Sequence, residues 1–145
     1  YGINPVPWAA NPMRQVVNLS GKIVQIHDVD TGRSVGYGAE WRAARPSRIA
    51  TVAIGYADGY LRSLKERSVV FFKGQRLPVV GRISMDLITV DVTDVAAGLH
   101  AGDEVEALGP HQDADELGTR GGTIGYEILT DLGRRYHRHY IGAVA

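Results

Sequence analysis

Short apolar runs alternate along this chain with breaks that contain glycine or aspartate. The runs are rich in β-branched residues and cover residues 16–26, 47–54, 68–72 and 84–92. Runs of this length and spacing are typical of the strands of a barrel or a sandwich. Glycine reaches positive φ without a Cβ clash, so it suits the tight turns between such strands. We expect it in this role at four breaks: Gly32, Gly59, Gly74 and Gly102.

Two helical segments interrupt the β pattern near the end of the chain. Asp113, followed by Glu116 three residues later, resembles a capping box for a short helical turn. Thr123 is placed to cap a second helix that runs to Gly133. That helix has a narrow apolar face able to seal one end of a barrel, formed by Ile124, Ile128 and Leu132. Residues 140–144 then predict a closing strand. The fold class expected is mainly β, a β-barrel-like domain with one or two short helices.

The first residues look different from the rest. Pro5, Pro7 and Pro12 predict a stiff, extended connector over residues 4–13, because each proline ring fixes φ and disfavours helix at the preceding residue. The chain starts at Tyr1 without a methionine, as though cut from a longer chain. We therefore divide it into a linker at residues 1–13 and a folded domain at residues 14–145.

Composition narrows the function classes. Sixteen basic and sixteen acidic residues cancel, so no net field draws the chain to nucleic acid or an anionic membrane. There is no cysteine for a disulfide or a thiolate metal site, and no apolar run approaches the roughly 20 residues that span a bilayer. We expect a cytoplasmic protein with no nucleic-acid or membrane partner and no metal site.

Two tyrosines have an unusual setting. Tyr37 stands between Gly36 and Gly38, and Tyr56 follows Gly55 in a similar way. Flanking glycines let the backbone approach another surface closely while the phenol projects. From the residues alone, such tyrosines are more often packing residues at a turn or barrel rim than catalysts.

Four motifs in order resemble those of one enzyme family. They are Ser-Val-Gly-Tyr-Gly at 34–38, Ile-Gly-Tyr-Ala-Asp-Gly at 54–59, Val-Gly-Arg-Ile-Ser-Met-Asp at 80–86 and Gly-Thr-Ile-Gly-Tyr-Glu at 122–127. This succession is similar to that of the carboxy-terminal β-domain of alanine racemases. Residues 1–5 also resemble the end of the last strand of that family's cofactor-binding barrel.

The resemblance implies a pyridoxal 5'-phosphate enzyme that interconverts L- and D-alanine for bacterial cell-wall synthesis. The family has an amino-terminal barrel, which binds the cofactor through a lysine, and a carboxy-terminal β-domain. In its homodimer, the active site lies between the barrel of one subunit and the β-domain of the other. The implied partners are therefore that barrel domain, a second subunit and alanine, and residues 1–145 alone are expected to be inactive.

The resemblance also assigns roles to three residues. Racemisation needs a proton-transferring group on each face of the α-carbon, and Tyr37 would serve the face opposite the barrel's lysine. Met85 would bind the substrate carboxylate through its backbone amide. Its surroundings predict a strand with Ile83, Met85 and Leu87 on one face. Tyr126 would reach the cofactor phosphate; just before it, Gly125 stands where the family often has proline.

Further positions match the family's substrate corridor: Tyr56, Arg62, Arg82 and Ile124. Arginines there can steer a carboxylate inward, although surface arginines paired with Asp58 or Asp86 would look the same in sequence. The segment 134–140 contains His137 and His139 among three arginines. It is better explained as a solvated rim or dimer contact than as a metal or nucleic-acid site.

Two alternatives to an alanine racemase stay open at this point. One is a stand-alone β-barrel that binds a partner or ligand and retains racemase-like motifs without chemistry. The other is a racemase of the same fold with broader amino-acid specificity.

Overall fold

The computed structural model describes residues 1–6, 8–95 and 98–142. Its strands, in chain order, are β1 (Leu19–Val29), β2 (Ser34–Val35), β3 (Trp41–Arg42), β4 (Ser47–Val52), β5 (Val69–Phe72), β6 (Gln75–Val80), β7 (Ile88–Asp91) and β8 (Glu104–Leu108). Two helices follow, α1 (Ala114–Gly121) and α2 (Gly125–Asp131). The predicted fold class, a β-barrel-like domain with short helices, is confirmed.

Within the described residues, six strands close into an antiparallel barrel in the order β1-β4-β7-β6-β5-β8. β8 returns to β1, so the barrel leaves no free sheet edge. β2 and β3 form a separate two-stranded ribbon. Apolar side chains fill the interior, among them Ala50 and Val52 of β4, which lies between β1 and β7. Ile49, on the other face of β4, is buried in a second cluster with Val35 and Val80.

The two helices, which follow the last strand in the chain, cover one end of the barrel. Asp113 accepts a hydrogen bond from the Glu116 amide at 2.8 Å, which confirms the predicted cap, although the helix runs for eight residues rather than one turn. The predicted Thr123 cap is wrong: Ile124 is the N-cap of α2, without a side-chain cap bond, and the helix ends at Asp131. Ile128 packs into the core as expected, whereas Ile124 is 64% exposed.

The two ends of the chain differ from expectation. The predicted closing strand is wrong at residues 140–142, which form no strand, and residues 143–144 lie outside the described residues. β8 closes the barrel instead, by pairing with β1. The predicted connector contains a turn, in which the Ala9 amide donates to the Val6 carbonyl at 3.0 Å; Pro7 lies outside the described residues.

No helix in the described ranges is long and apolar enough to cross a membrane.

Met85 is not in a strand, contrary to expectation. The Ser84 amide and hydroxyl both donate to the Leu87 carbonyl, at 3.0 and 2.8 Å, and the Leu87 amide donates to the hydroxyl. These bonds close residues 84–87 into a tight turn before β7, which interrupts the strand alternation. Met85 and Leu87 are consequently exposed, and of that predicted face Ile83 alone is buried.

Gly59 offers a test of the packing between the barrel and α2. Its φ is +96°, and an added Cβ would lie 2.1 Å from the Asp131 carbonyl oxygen. Gly32 has a similar φ of +81° but open space around it. We expect Gly59→Ala to lower the free energy of unfolding by about 3 kcal/mol or more, and Gly32→Ala by about 1 kcal/mol, because only the first adds a backbone clash to left-handed strain. Urea denaturation measures both; equal losses would contradict the close approach.

Candidate active site

The strand register gathers several loops at one end of the barrel. β4 pairs with β7 so that Val52 faces Ile88, and β6 pairs with β7 so that Val80 faces Thr89. The segment after β4 and the 81–87 loop between β6 and β7 therefore meet. The ribbon of β2 and β3 lies against them, since a Cβ on Gly36 would be 3.6 Å from the Arg82 amide nitrogen.

A pocket of about 470 Å³ opens between these loops. It brings together five of the seven site residues predicted from sequence, and its full lining is Tyr37, Tyr56, Arg62, Arg82, Ile83, Ser84, Met85, Asp86 and Leu87. A second hollow adjoins it, because both share Arg62, Arg82 and Ile83. The lining combines two phenols, two guanidiniums, the Ser84 hydroxyl and the Asp86 carboxylate, and the guanidiniums suit a small polar ligand that carries an anionic group.

Tyr37 projects from a short 3-10 turn, Tyr37–Ala39, between β2 and β3. The turn depends on positive φ at Gly36 and Gly38, +80° and +79°. A Cβ on Gly38 would lie 3.1 Å from an Arg82 Nη1 atom, so the guanidinium lies directly against this backbone. The Tyr37 residue is 75% exposed. It is therefore not a packing residue of this chain's core, a role that Tyr60, at 1% exposure, does fill.

The Met85 amide is available to a ligand. The Ser84 carbonyl accepts a hydrogen bond from the Tyr56 amide at 3.0 Å. In a trans peptide the carbonyl and the next N–H point in opposite directions, so the Met85 N–H points away from the Tyr56 turn. Within the described residues it has no hydrogen-bond partner.

An ion-pair network sits beside the Tyr37 turn. The Glu40 carboxylate pairs with both Arg82 and Lys65. Hydrogen bonds from Arg82 and then Lys65 lower the pKa of Glu40 to about 2. The pKa of Arg82 is raised mainly by Glu40, with a smaller contribution from the Tyr37 phenol, so this cation interacts electrostatically with Tyr37.

The structure does not show the ion pairs with Asp58 and Asp86 that were the alternative to a corridor role for the pocket arginines. Arg62 stacks its guanidinium over the Tyr56 ring, 5.7 Å from the centroid, and forms no ion pair within the described ranges. Asp58 and Asp86 pair with neither Arg62 nor Arg82; both contact Arg135. Arg62 is thus the more available of the two pocket arginines for a ligand carboxylate.

Two predicted site residues lie outside this pocket. Ile124 and Tyr126, at the start of α2, are exposed but do not line it. Gly125 between them approaches α1 closely, since a Cβ would lie 2.5 Å from Asp115 Oδ1 and 3.0 Å from the Ala114 carbonyl carbon. This contact fixes where Tyr126 emerges. The predicted site residues therefore lie in two separate places, the pocket and the start of α2.

Three residues that contribute to the site were not identified from sequence: Glu40, Lys65 and Arg135. Only tertiary structure brings them near the pocket, and their spacing carries no signal. His137 and His139 do not lie on a strand. Among the described residues, no group of three or more acidic or histidine side chains could hold a metal ion.

Comparison with known proteins gives the family. Residues 16–140 match the model of "Alanine racemase, C-terminal domain". The chain belongs to the alanine racemase family. It is 54% identical over 138 residues to an alanine racemase of Acidiphilium cryptum, covering 95% of this chain and 38% of that protein. It is 48% identical over 143 residues to a catabolic alanine racemase of Mesorhizobium japonicum, covering 98% of this chain and 37% of that protein.

Solved structures of the alanine racemase family share this fold. The alanine racemase of Bartonella henselae, which has covalently bound pyridoxal phosphate, superimposes with a TM-score of 0.93 at 45% identity, covering 97% of this chain and 39% of that one. The biosynthetic enzyme of Pseudomonas aeruginosa gives 0.89 at 38% identity, covering 97% and 40%. The chain thus spans about two fifths of the length of these racemases.

The Glu40 network predicts a pH dependence. A folded-state pKa of about 2 lies below the ordinary 4.5, so the stabilisation from Glu40 is present above pH 4.5 and is lost as the pH falls toward 2. We expect Glu40→Gln to lower the unfolding midpoint at pH 7, with a smaller difference from wild type near pH 2. The control is Glu66→Gln, an exposed site with no ion pair in the described residues. A Glu40 carboxyl titration by NMR with a midpoint above about 4 would contradict this.

Proposed function

We propose that this chain is the carboxy-terminal part of an alanine racemase and supplies the tyrosine side of its active site. The observation that carries the proposal is the pocket in which the exposed Tyr37 phenol, the free Met85 amide and Arg62 converge. A phenol can transfer a proton at the α-carbon of a small amino acid. An amide donor and a guanidinium can bind its carboxylate. Membership of the alanine racemase family supports alanine as that amino acid.

The residues of this chain are compatible with contacting pyridoxal 5'-phosphate at one edge of the cofactor only, its phosphate. The exposed Tyr126 hydroxyl can donate a hydrogen bond to a phosphate oxygen. None of the chain's three lysines lines the pocket: Lys22 is in β1, Lys65 is paired with Glu40, and Lys73 lies over the Phe72 ring. We therefore assign the covalent attachment and most of the cofactor contacts to an amino-terminal barrel domain. When bound, the cofactor supplies an electron sink that acidifies the α-proton of the substrate.

Tyr37 is the proposed acid and base on one face of the α-carbon. As phenolate, its Oη removes the α-proton of L-alanine; as phenol, it returns a proton to that same face in the opposite direction. A proton-transferring group on the other face is required for inversion, and the barrel's lysine provides it. The Arg82 guanidinium lies directly against the backbone of the Tyr37 turn, where it adds a positive charge beside the proposed proton-transferring group.

The substrate carboxylate is the proposed ligand of the Met85 N–H. Arg62 adds a guanidinium with no competing ion pair in the described part of the chain, and Tyr56 holds it by its ring face. Arg82 in the same pocket and Ile124 at the start of α2 complete the proposed corridor; Ile124 lies outside this pocket, so it is assigned to the corridor from the other subunit. In this arrangement the carboxylate is anchored while the α-carbon stays within reach of Tyr37.

The proposed assembly is a homodimer in the cytoplasm, with each pocket facing the barrel of the other subunit. The separation of Tyr126 from the Tyr37 pocket supports it. One patch of a subunit can then serve its own barrel while the other serves the partner's. The product, D-alanine, is assigned to cell-wall synthesis.

The tyrosine assignment is tested by Tyr37→Phe in the full-length enzyme. We expect racemisation in both directions to fall at least about a hundredfold, because general acid–base catalysis is lost on one face. In D₂O, the α-hydrogen of D-alanine should still exchange with solvent through the lysine, while that of L-alanine should not. Proton NMR of each enantiomer measures both.

The matched control is Tyr140→Phe, which removes a hydroxyl that is also 75% exposed but lies outside the pocket; its rates should equal those of wild type. Unchanged racemisation in Tyr37→Phe would overturn the assigned role. A full-length wild-type protein without racemase activity would instead favour a binding module, and equal rates with alanine and larger amino acids would favour a broader racemase.

A further inference from the structure

Two loops of the pocket are in backbone contact with each other. A Cβ on Gly55 would lie 2.2 Å from the Met85 carbonyl oxygen and 2.4 Å from the Asp86 nitrogen. The Tyr56 amide donates to the Ser84 carbonyl at 3.0 Å, and the Ala57 amide donates to the Met85 carbonyl at 2.9 Å. The turn at residues 55–58 therefore sets the orientation of both peptide units that flank Met85.

Arg135 ties these two loops together from a third segment. Its Nε lies 3.3 Å from Asp58 Oδ1, and its Nη2 lies 2.6 Å from Asp86 Oδ1. Asp58 is only 7% exposed, and its other oxygen accepts a hydrogen bond from the Gly55 amide at 2.8 Å. The Gly133 amide also donates to the Asp58 carbonyl at 3.3 Å. The segment after α2 is thus bonded to both loops, through Asp58 and Asp86.

We propose that Arg135, with Asp58 and Asp86, forms a clamp that positions the Met85 amide for the substrate carboxylate. We name these three residues the Arg135 clamp. The inference rests on the proposed function, in which that amide binds alanine. Arg135 does not line the pocket, so it acts through the loops as a positioning residue.

The charges explain why an arginine is required. One guanidinium serves two carboxylates through two different nitrogens, a geometry that a single ammonium cannot reproduce. Without it, the nearly buried Asp58 carboxylate keeps, among the described residues, only the Gly55 amide as partner, which favours rearrangement of the turn. Asp86 would become an unpaired negative charge on the pocket wall and would repel the substrate carboxylate. Both effects weaken binding rather than proton transfer.

The test uses Arg135→Gln in the full-length enzyme. We expect KM for alanine to rise about five- to tenfold while kcat changes less than about threefold, since ground-state anchoring is lost. Arg135→Lys should give an intermediate KM and serves as the second variant should the glutamine variant fold poorly. The control is Arg134→Gln, the same change at the adjacent exposed residue, which has no ion pair in the described chain. A fall in kcat with KM unchanged would overturn the proposal.

A double-mutant cycle separates the clamp from a general structural effect. Asp86→Asn alone should raise KM in the same direction, and the double variant with Arg135→Gln should raise it by less than the product of the single effects. Effects on KM that multiply would show that the two residues act independently, which contradicts the clamp.

A second readout stays informative whatever the activity of the wild-type enzyme. Hydrogen–deuterium exchange of the full-length protein should be faster at residues 55–58 and 84–87 in Arg135→Gln, and unchanged in Arg134→Gln. If wild type does not racemise alanine, the proposed function fails, and exchange alone decides whether the clamp exists. Unchanged exchange at both loops would overturn it.

Discussion

The close approach of Gly55 to the Met85 peptide is the constraint on which the pocket depends. No side chain fits between these backbones, so the segment after β4 and the turn before β7 behave as one unit. The antiparallel register of β4 with β7 brings them to the same barrel end. Their hydrogen bonds aim the free Met85 N–H outward, and Arg135 joins both from the chain's last segment. Substrate binding in this account is a consequence of backbone geometry, with side chains tuning it.

Local sequence signals predicted much of the barrel. Apolar runs located β1, β4, β5 and β7 within a few residues, and the four turn glycines have the expected positive φ, because alternation and positive φ are local properties; no run was predicted for β6 or β8. Asp113 was recognisable as a cap for the same reason. The predictions failed where a side-chain hydrogen bond or a tertiary contact overrides the local sequence pattern. At residues 82–87 a strand-like alternation is broken by the Ser84 hydroxyl, and at Thr123 a plausible cap is displaced by one residue because Gly125 docks against α1.

Family motifs, and not chemistry alone, singled out the seven predicted site residues, five of which line one pocket. On physical grounds Tyr37 was interpreted as a packing residue, whereas the structure leaves it 75% exposed in the same pocket as Met85 and Arg62. The ion pairs of the arginines, in contrast, were not predicted. Pairing of Asp58 or Asp86 with Arg62 or Arg82 was the alternative to a corridor role, yet the partner of both carboxylates is Arg135, about 50 to 80 residues away along the chain. Ion pairs across that separation are decided by topology, which spacing does not encode.

The proposed catalytic site is shared between subunits, with Tyr37 facing a lysine on another subunit. The direct measurement mixes two inactive full-length variants, Tyr37→Phe and one that lacks the barrel's lysine, after dissociation and reassociation. With a shared site, half of the dimers are mixed and each regains one intact site, so about a quarter of wild-type racemase activity should return. No recovery in verified mixed dimers would contradict a shared site.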